Sequence, residues 1–221
     1  MRLVLMGAPG SGKGTQAKIL AQREGLVHLS TGDALRAAIA SGSELGLKAK
    51  DAVEQGRLVS DEVLYGIVKN ALENIGREKG FILDGFPRNL SQAEFLDGVL
   101  SELGMGIDAA VLLDVPETFL IKRLSERRIC SQCSKEYHLE FSPPDLDGKC
   151  NDCGDELYQR DDDRPEKIAR RLSIYSDVTL PMVDYYKGKG LLLSVDAVGE
   201  INDVAQRVLD SLKNYTSKRQ V

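Results

Sequence analysis

Lys13 stands in a nine-residue run with four glycines, Gly7-Ala8-Pro9-Gly10-Ser11-Gly12-Lys13-Gly14-Thr15. Glycine lets consecutive backbone N–H groups turn inward, and a helix N-terminus adds partial positive charge, so such a run cradles an anion. Lys13 supplies a full charge for outer phosphates. The general P-loop has Ser or Thr directly after the lysine as a magnesium ligand; here Gly14 intervenes and the hydroxyl belongs to Thr15. A second chemical group is Asp84, closing the apolar run Phe81-Ile82-Leu83. A carboxylate at the end of a strand in a P-loop protein is a candidate to hold the water shell of Mg2+.

All four cysteines lie within 130–153, as Cys130-x2-Cys133 and Cys150-x2-Cys153 separated by sixteen residues. That spacing is a tetrahedral zinc signal. Two disulfides or a four-thiolate iron site are the alternatives. His138 is near enough to substitute as a ligand, but four sulfurs already complete a shell. Four thiolates leave no open position for catalysis, so the reading is a structural metal that replaces a core this module is too small to form. Arginines bracket the module: Arg123, Arg127 and Arg128 before it, Arg160, Arg164, Arg170 and Arg171 after it. With a P-loop in the same chain, the clustering favours phosphate clamping, because guanidinium groups bind phosphate oxygens bidentately. Asp161-Asp162-Asp163 among them is expected to cap a helix, hold the arginines or latch the module.

The elements that must position these groups are legible. Apolar runs at Leu3–Met6, Leu26–Leu29, Phe81–Asp84, Ala110–Val115 and Leu191–Val195 read as five strands. They alternate with helical segments, which indicates a parallel sheet covered on both faces. Ser30-Thr31-Gly32-Asp33 starts a helix that Ser41-Gly42-Ser43 breaks; a second helix is expected from about Glu44 to Gln55, and a third opens at Ser60-Asp61-Glu62. Ser91-x-x-Glu94 is expected to cap another, and Pro116 to begin one. Ile201, Val204, Ala205, Val208, Leu209 and Leu212 form a 3.6-residue stripe. The polar tail from about Asn214 is expected to fray. His28 reads as a packed or edge histidine.

The 221 residues and 42% apolar content suit one α/β domain with insertions. A net charge of −5 without a polybasic tail argues against a dedicated nucleic-acid or membrane-surface protein. With neither a leader-like segment nor an apolar stretch of about 20 residues, a soluble cytoplasmic protein is expected.

The ordered set of motifs resembles adenylate kinase: the 7–15 loop with its Lys13-Gly14-Thr15 form, Ser30-Thr31-Gly32-Asp33 with Arg36, Asp84-Gly85-Phe86-Pro87-Arg88 with Gln92, Arg123 with Arg127-Arg128, Arg160-Asp161-Asp162, and Arg170-Arg171. The match spans nearly the whole chain, and the 130–153 insert resembles the zinc-bearing lid of bacterial long forms. The resemblance implies a P-loop nucleoside monophosphate kinase fold. Its five-stranded parallel sheet is flanked by helices, with a core of 1–29, 60–126 and 164–221. It carries a helical NMP-binding insertion at 30–59 and a small zinc-bearing lid at 127–163. It implies reversible Mg-dependent transfer from ATP to AMP giving two ADP, by a monomer. In that reading Gly10, Ser11, Gly12, Lys13, Gly14 and Thr15 hold ATP phosphates, and Arg127, Glu136, Tyr137 and Gly199 contact the ATP nucleoside or its phosphates. Thr31, Arg36, Arg57, Leu58, Val59, Gly85, Phe86, Pro87, Arg88 and Gln92 hold AMP, with Arg160 and Arg171. Lys13, Arg88, Arg123, Arg160 and Arg171 surround the transferring group. Zinc sits at Cys130, Cys133, Cys150 and Cys153, and Asp84 serves Mg2+. A kinase for UMP or CMP shares the clamp, but Thr31 and Gln92 favour an adenine acceptor. A nucleic-acid-binding ATPase with a zinc ribbon is the reading from another class; it expects a basic, aromatic-bearing surface, which an acidic chain without Trp does not offer.

Overall fold

The computed structural model describes residues 1–42, 46, 47, 49, 50 and 59–219. Strand β1 (Arg2–Met6) is the middle of a five-stranded sheet with β2 (Val27–Ser30), β3 (Phe81–Asp84), β4 (Ala109–Asp114) and a late strand, Leu192–Asp196. The order is β2-β3-β1-β4 and then the late strand, every pair parallel. Side chains alternate across a strand, and β1 is apolar on both faces. Leu3 and Leu5 pack on one side with α1 (Lys13–Glu24) through Ala17 and Leu20, and with Val204 and Val208 of the C-terminal helix. Val4 and Met6 pack on the other, against Leu64 and Val68 of the helix Asp61–Ile75 and Leu96 of the helix Leu90–Glu102. Each such buried side chain contributes about 1.5–3 kcal/mol.

All five strands run the same way, so their C-terminal ends share one edge, where an open parallel sheet binds ligands. Met6 leads into the glycine-rich loop, Ser30 into α2 (Thr31–Ala40), Asp84 into the Gly85 turn, and Asp196 into the loop before Ile201.

The structure differs from the sequence expectations at helix ends. The helix after the Gly85 turn starts at Leu90, and its cap is Asn89, whose Oδ1 accepts from Gln92 N–H at 2.8 Å; Ser91 lies inside the first turn. Pro116 is the capping residue of Glu117–Ser125, one position earlier than expected. The final helix does not fray at Asn214 but runs Ile201–Arg219. Tyr215 explains this: its hydroxyl donates to Gly190 O, and its ring packs on the core. The helix expected over 44–55 lies mostly outside the described residues, as do Arg57 and Leu58. Among the described residues, no helix is long and apolar enough to cross a membrane.

A second, antiparallel sheet holds the cysteines. It consists of β5 (Arg127–Cys130), β6 (Glu136–His138) and β7 (Leu157–Tyr158), ordered β6-β5-β7. Its buried cluster is only Cys130, Tyr137 and Cys150, with Leu157 packed on it.

Candidate functional site

The glycine-rich loop closes on itself around Lys13. Gly7 has φ +143°, and a β-carbon there would lie 2.8 Å from Leu113 O, so the backbone admits only glycine. Lys13 Nζ donates to Gly7 O at 2.7 Å and Ala8 O at 2.9 Å. Burial lowers its pKa to about 8, with Arg88, Arg171 and Arg127 acting the same way and Asp84 opposing. Lys13 is therefore still charged at neutral pH and held at the mouth of its own cradle. Asp84 Oδ2 sits 3.5 Å from where a β-carbon on Gly14 would stand, and 3.4 Å from His28 Nε2. His28 thus packs from β2 against the site carboxylate.

The next two strand ends build a second wall. Ser30 Oγ accepts from Asp33 N–H at 3.2 Å and starts α2. Thr31 Oγ1 donates to Asp84 O at 3.3 Å. One turn on, Arg36 pairs with Asp33. Gly85, at φ +81°, makes the turn that lets Arg88 fold back and donate from Nε to Gly85 O at 2.7 Å. Behind it, Gln92 is fully buried: its Oε1 accepts from Arg88 N–H at 2.7 Å, and its Nε2 donates to Asp61 Oδ1 at 2.6 Å. Gln92 and the core residue Phe86 stand behind the cleft wall, whereas Thr31, Arg36, Val59, Gly85, Pro87 and Arg88 line it.

The acidic triplet turns out to hold the arginines. Asp163 has no solvent exposure. Its oxygens accept from Arg127 Nε at 2.8 Å and Nη2 at 2.7 Å, and from Arg171 Nη1 at 3.0 Å. Asp162 takes a two-point contact from Arg160, at 2.8 and 2.6 Å. Burial raises the pKa of Asp162, but Arg171, Arg160 and Arg127 outweigh it and hold the carboxyl below its usual range. Asp161 faces outward to Arg164 and Lys167. Of the seven bracketing arginines, Arg123, Arg127, Arg160 and Arg171 line the cleft. Arg128 is spent on the backbone carbonyls of Ser125 and Arg127, and Arg164 and Arg170 are exposed.

These walls enclose one cleft of about 530 Å³. Gly10 through Thr15 line it, as do Glu136, Tyr137 and Gly199. Arg123 donates to Ala197 O at 3.3 Å, beside the Gly199 loop. The sequence reading missed Phe119 and Phe141 as lining residues, because apolar side chains carry no motif. It also missed Asp61, whose role appears only through its contact with Gln92.

The four cysteines are free thiols whose sulfurs lie within 4.8 Å of one another. Cys130 and Cys153 approach to 3.3 Å, Cys133 and Cys150 to 3.5 Å. A tetrahedral thiolate site with metal–sulfur bonds of about 2.3 Å has sulfurs roughly 3.8 Å apart, so the group has the size and chemistry to bind a metal. His138 stands apart: its Nδ1 accepts from the N–H groups of Glu140 and Phe141, each at 3.1 Å.

Residues 5–191 match the sequence model of the family described as adenylate kinase. The chain is 52% identical to the adenylate kinase of Thermodesulfovibrio yellowstonii, over 92% of this chain and 95% of that protein. It is 49% identical to that of Archaeoglobus fulgidus, over 97% and 100%, and 48% identical to that of Streptomyces avermitilis, over 99% and 100%. With the family model matching residues 5–191 and relatives 48–52% identical over 92–99% of the chain, the protein is a member of the adenylate kinase family, which are nucleoside monophosphate kinases.

Proposed function

We propose that the protein transfers the terminal phosphoryl group of ATP reversibly to AMP, giving two ADP. The observation that carries this is the sharing of one cleft by Lys13 with its loop and by Arg36, Arg88, Arg127, Arg160 and Arg171. The cations are near enough to act on one another: Arg88, Arg171 and Arg127 each lower Lys13, while Arg36 and Arg160 lower Arg88. Such crowding without a bound anion costs free energy, and a pair of phosphate chains relieves it.

The chemistry needs little beyond position and charge. The attacking atom is a phosphate oxygen of AMP and is already anionic, so no general base is required. The loop from Gly10 to Thr15 holds the ATP phosphates, and Thr31, Arg36, Val59 and the Gly85–Arg88 turn hold AMP. Lys13, Arg88, Arg123, Arg160 and Arg171 neutralise charge around the transferring group. Arg57 and Leu58 are assigned to the AMP side on the family resemblance alone. Arg127, Glu136, Tyr137 and Gly199 contact the ATP nucleoside or its phosphates. Gln92 acts from behind, fixing the Arg88 backbone. Bound with ATP, Mg2+ supplies further charge neutralisation; the Thr15 hydroxyl and the Asp84 carboxylate beside Gly14 are the groups that fit it. The lid, 127–163, excludes water that would otherwise accept the phosphoryl group. It moves, with the insertion at 30–59, on a core of 1–29, 60–126 and 164–221. Zinc holds the lid together at Cys130, Cys133, Cys150 and Cys153, and takes no part in the chemistry. The protein works as a cytoplasmic monomer and binds neither nucleic acid nor membrane.

The test is an acceptor panel. With MgATP as donor, AMP should give ADP at a kcat/KM at least tenfold above UMP, CMP and GMP. Equal or better use of a pyrimidine acceptor would replace adenylate by another nucleotide.

A further inference from the structure

Strand β6 is three residues long and touches two sites at once. Glu136 and His138 line the cleft, and Glu136 Oε1 lies 4.0 Å from where a β-carbon on Gly14 of the phosphate loop would stand. Tyr137, between them, also borders the cleft, while its side chain is buried with Cys130 and Cys150. Its hydroxyl accepts from Asn151 N–H at 2.7 Å and lies 3.3 Å from Cys150 Sγ. A metal-binding Cys150 is a thiolate with no proton of its own, so in that state Tyr137 O–H is the donor to the sulfur. A hydrogen bond of this kind orients a metal-binding thiolate and withdraws charge from it. The neighbouring strand repeats the arrangement: β5 carries Arg127 to the cleft and Cys130 to the metal group, and pairs Arg128 with Tyr137.

We propose that Tyr137 is a positioning residue that couples the lid metal to the nucleotide cleft, so that metal retention and ATP binding strengthen each other. The inference rests on the reading of the cleft as an ATP site. With metal bound, Cys150 is a fixed thiolate and anchors the Tyr137 hydroxyl. β6 then holds Glu136 and His138 at one height over the phosphate loop. A nucleotide seated there fixes the same three residues from the other face and so disfavours release of the metal. Coupling between two binding equilibria is reciprocal.

The experiment uses the full chain loaded with Zn2+ and follows metal transfer to an excess of chromogenic chelator, with and without MgATP. AMP is omitted so that no turnover occurs. MgATP should slow metal loss from the parent about tenfold, within the usual range of coupling. Tyr137→Phe keeps the ring and removes the hydroxyl. It should lose metal about tenfold faster, and MgATP should no longer protect it. Leu157→Ala loosens the same packing without touching the hydrogen bond; it should lose metal faster yet keep the protection. Full protection in Tyr137→Phe would overturn the proposal. So would a parent protein that forms ADP from ATP and AMP but loses metal at the same rate with MgATP as without, whether or not any variant folds. A chain that neither binds MgATP nor forms ADP would overturn the functional reading itself and the coupling with it.

Discussion

Replacing Asp163 by Asn removes one charge from a site with no solvent exposure and leaves Arg127 and Arg171 facing an amide. The amide oxygen still accepts hydrogen bonds, but at one position only. Its NH2 group turns a donor toward a guanidinium donor, so at least one of the Arg127 contacts at 2.7 and 2.8 Å is lost. Breaking a buried ion pair by deleting one partner costs about 3–5 kcal/mol. For a chain of 221 residues, unfolding entropy near the melt is about 0.46 kcal/mol/K at roughly 2.1 cal/mol/K per residue. A loss of about 4 kcal/mol therefore lowers the melting temperature by roughly 9 °C. Arg127 and Arg171 also lose the partner that aims them into the cleft, so kcat/KM for ATP should fall at least tenfold. The assay is thermal unfolding by circular dichroism, with steady-state kinetics well below both melts. Asp161→Asn, on the exposed side of the same turn, is the control and should melt with the parent. A Tm within about 2 °C of the parent, together with unchanged kcat/KM, would refute the argument that Asp163 holds the two arginines.

Lys13 sets a pH dependence. Its folded pKa of about 8 lies below the free value of 10.5, so between those values the unfolded chain binds more protons and this group's contribution to stability rises with pH. The same titration removes charge from the cradle: kcat/KM for ATP should fall above about pH 8, while kcat, measured with phosphates bound, persists to higher pH. A kcat/KM that stays flat to pH 10 would contradict this. Arg36→Ala and Arg88→Ala should each weaken AMP binding about 10–100-fold, the cost of roughly 1.5–3 kcal/mol for a charge-assisted hydrogen bond. ATP binding should change little, and titration calorimetry with each nucleotide separates the cases. Cys130→Ser with Cys153→Ser should abolish a stoichiometry of one metal per chain and lower the melting temperature, yet retain most turnover well below the melt. Complete loss of turnover in the folded variant would give the metal a catalytic part.

The core strands, the phosphate loop and the cysteine group were legible because each is written in local sequence. Four apolar residues flanked by breakers make a buried parallel strand, and four glycines around a lysine leave few alternatives. The partners of the arginines were only half legible. Asp161, Asp162 and Asp163 are adjacent, yet one faces solvent, one holds Arg160 and one is fully buried between Arg127 and Arg171. Which does which depends on the short 3₁₀ turn Asp161–Asp163, and no periodicity fixes its phase. Gln92 shows the same limit: its bond to Asp61, 31 positions away, is written in no local motif. The tail was misread because Tyr215 gains its anchor, Gly190 O, from a loop 25 positions earlier.

In this protein one cleft passes a phosphoryl group directly between two adenine nucleotides. ATP labelled with 32P at the γ position, incubated with Mg2+ and excess AMP, tests it most directly by following where the label goes. Label is expected in the β-phosphate of ADP formed from AMP, with almost none in inorganic phosphate and no transfer by folded Lys13→Ala. Label released chiefly as inorganic phosphate, or undiminished transfer by Lys13→Ala, would contradict it.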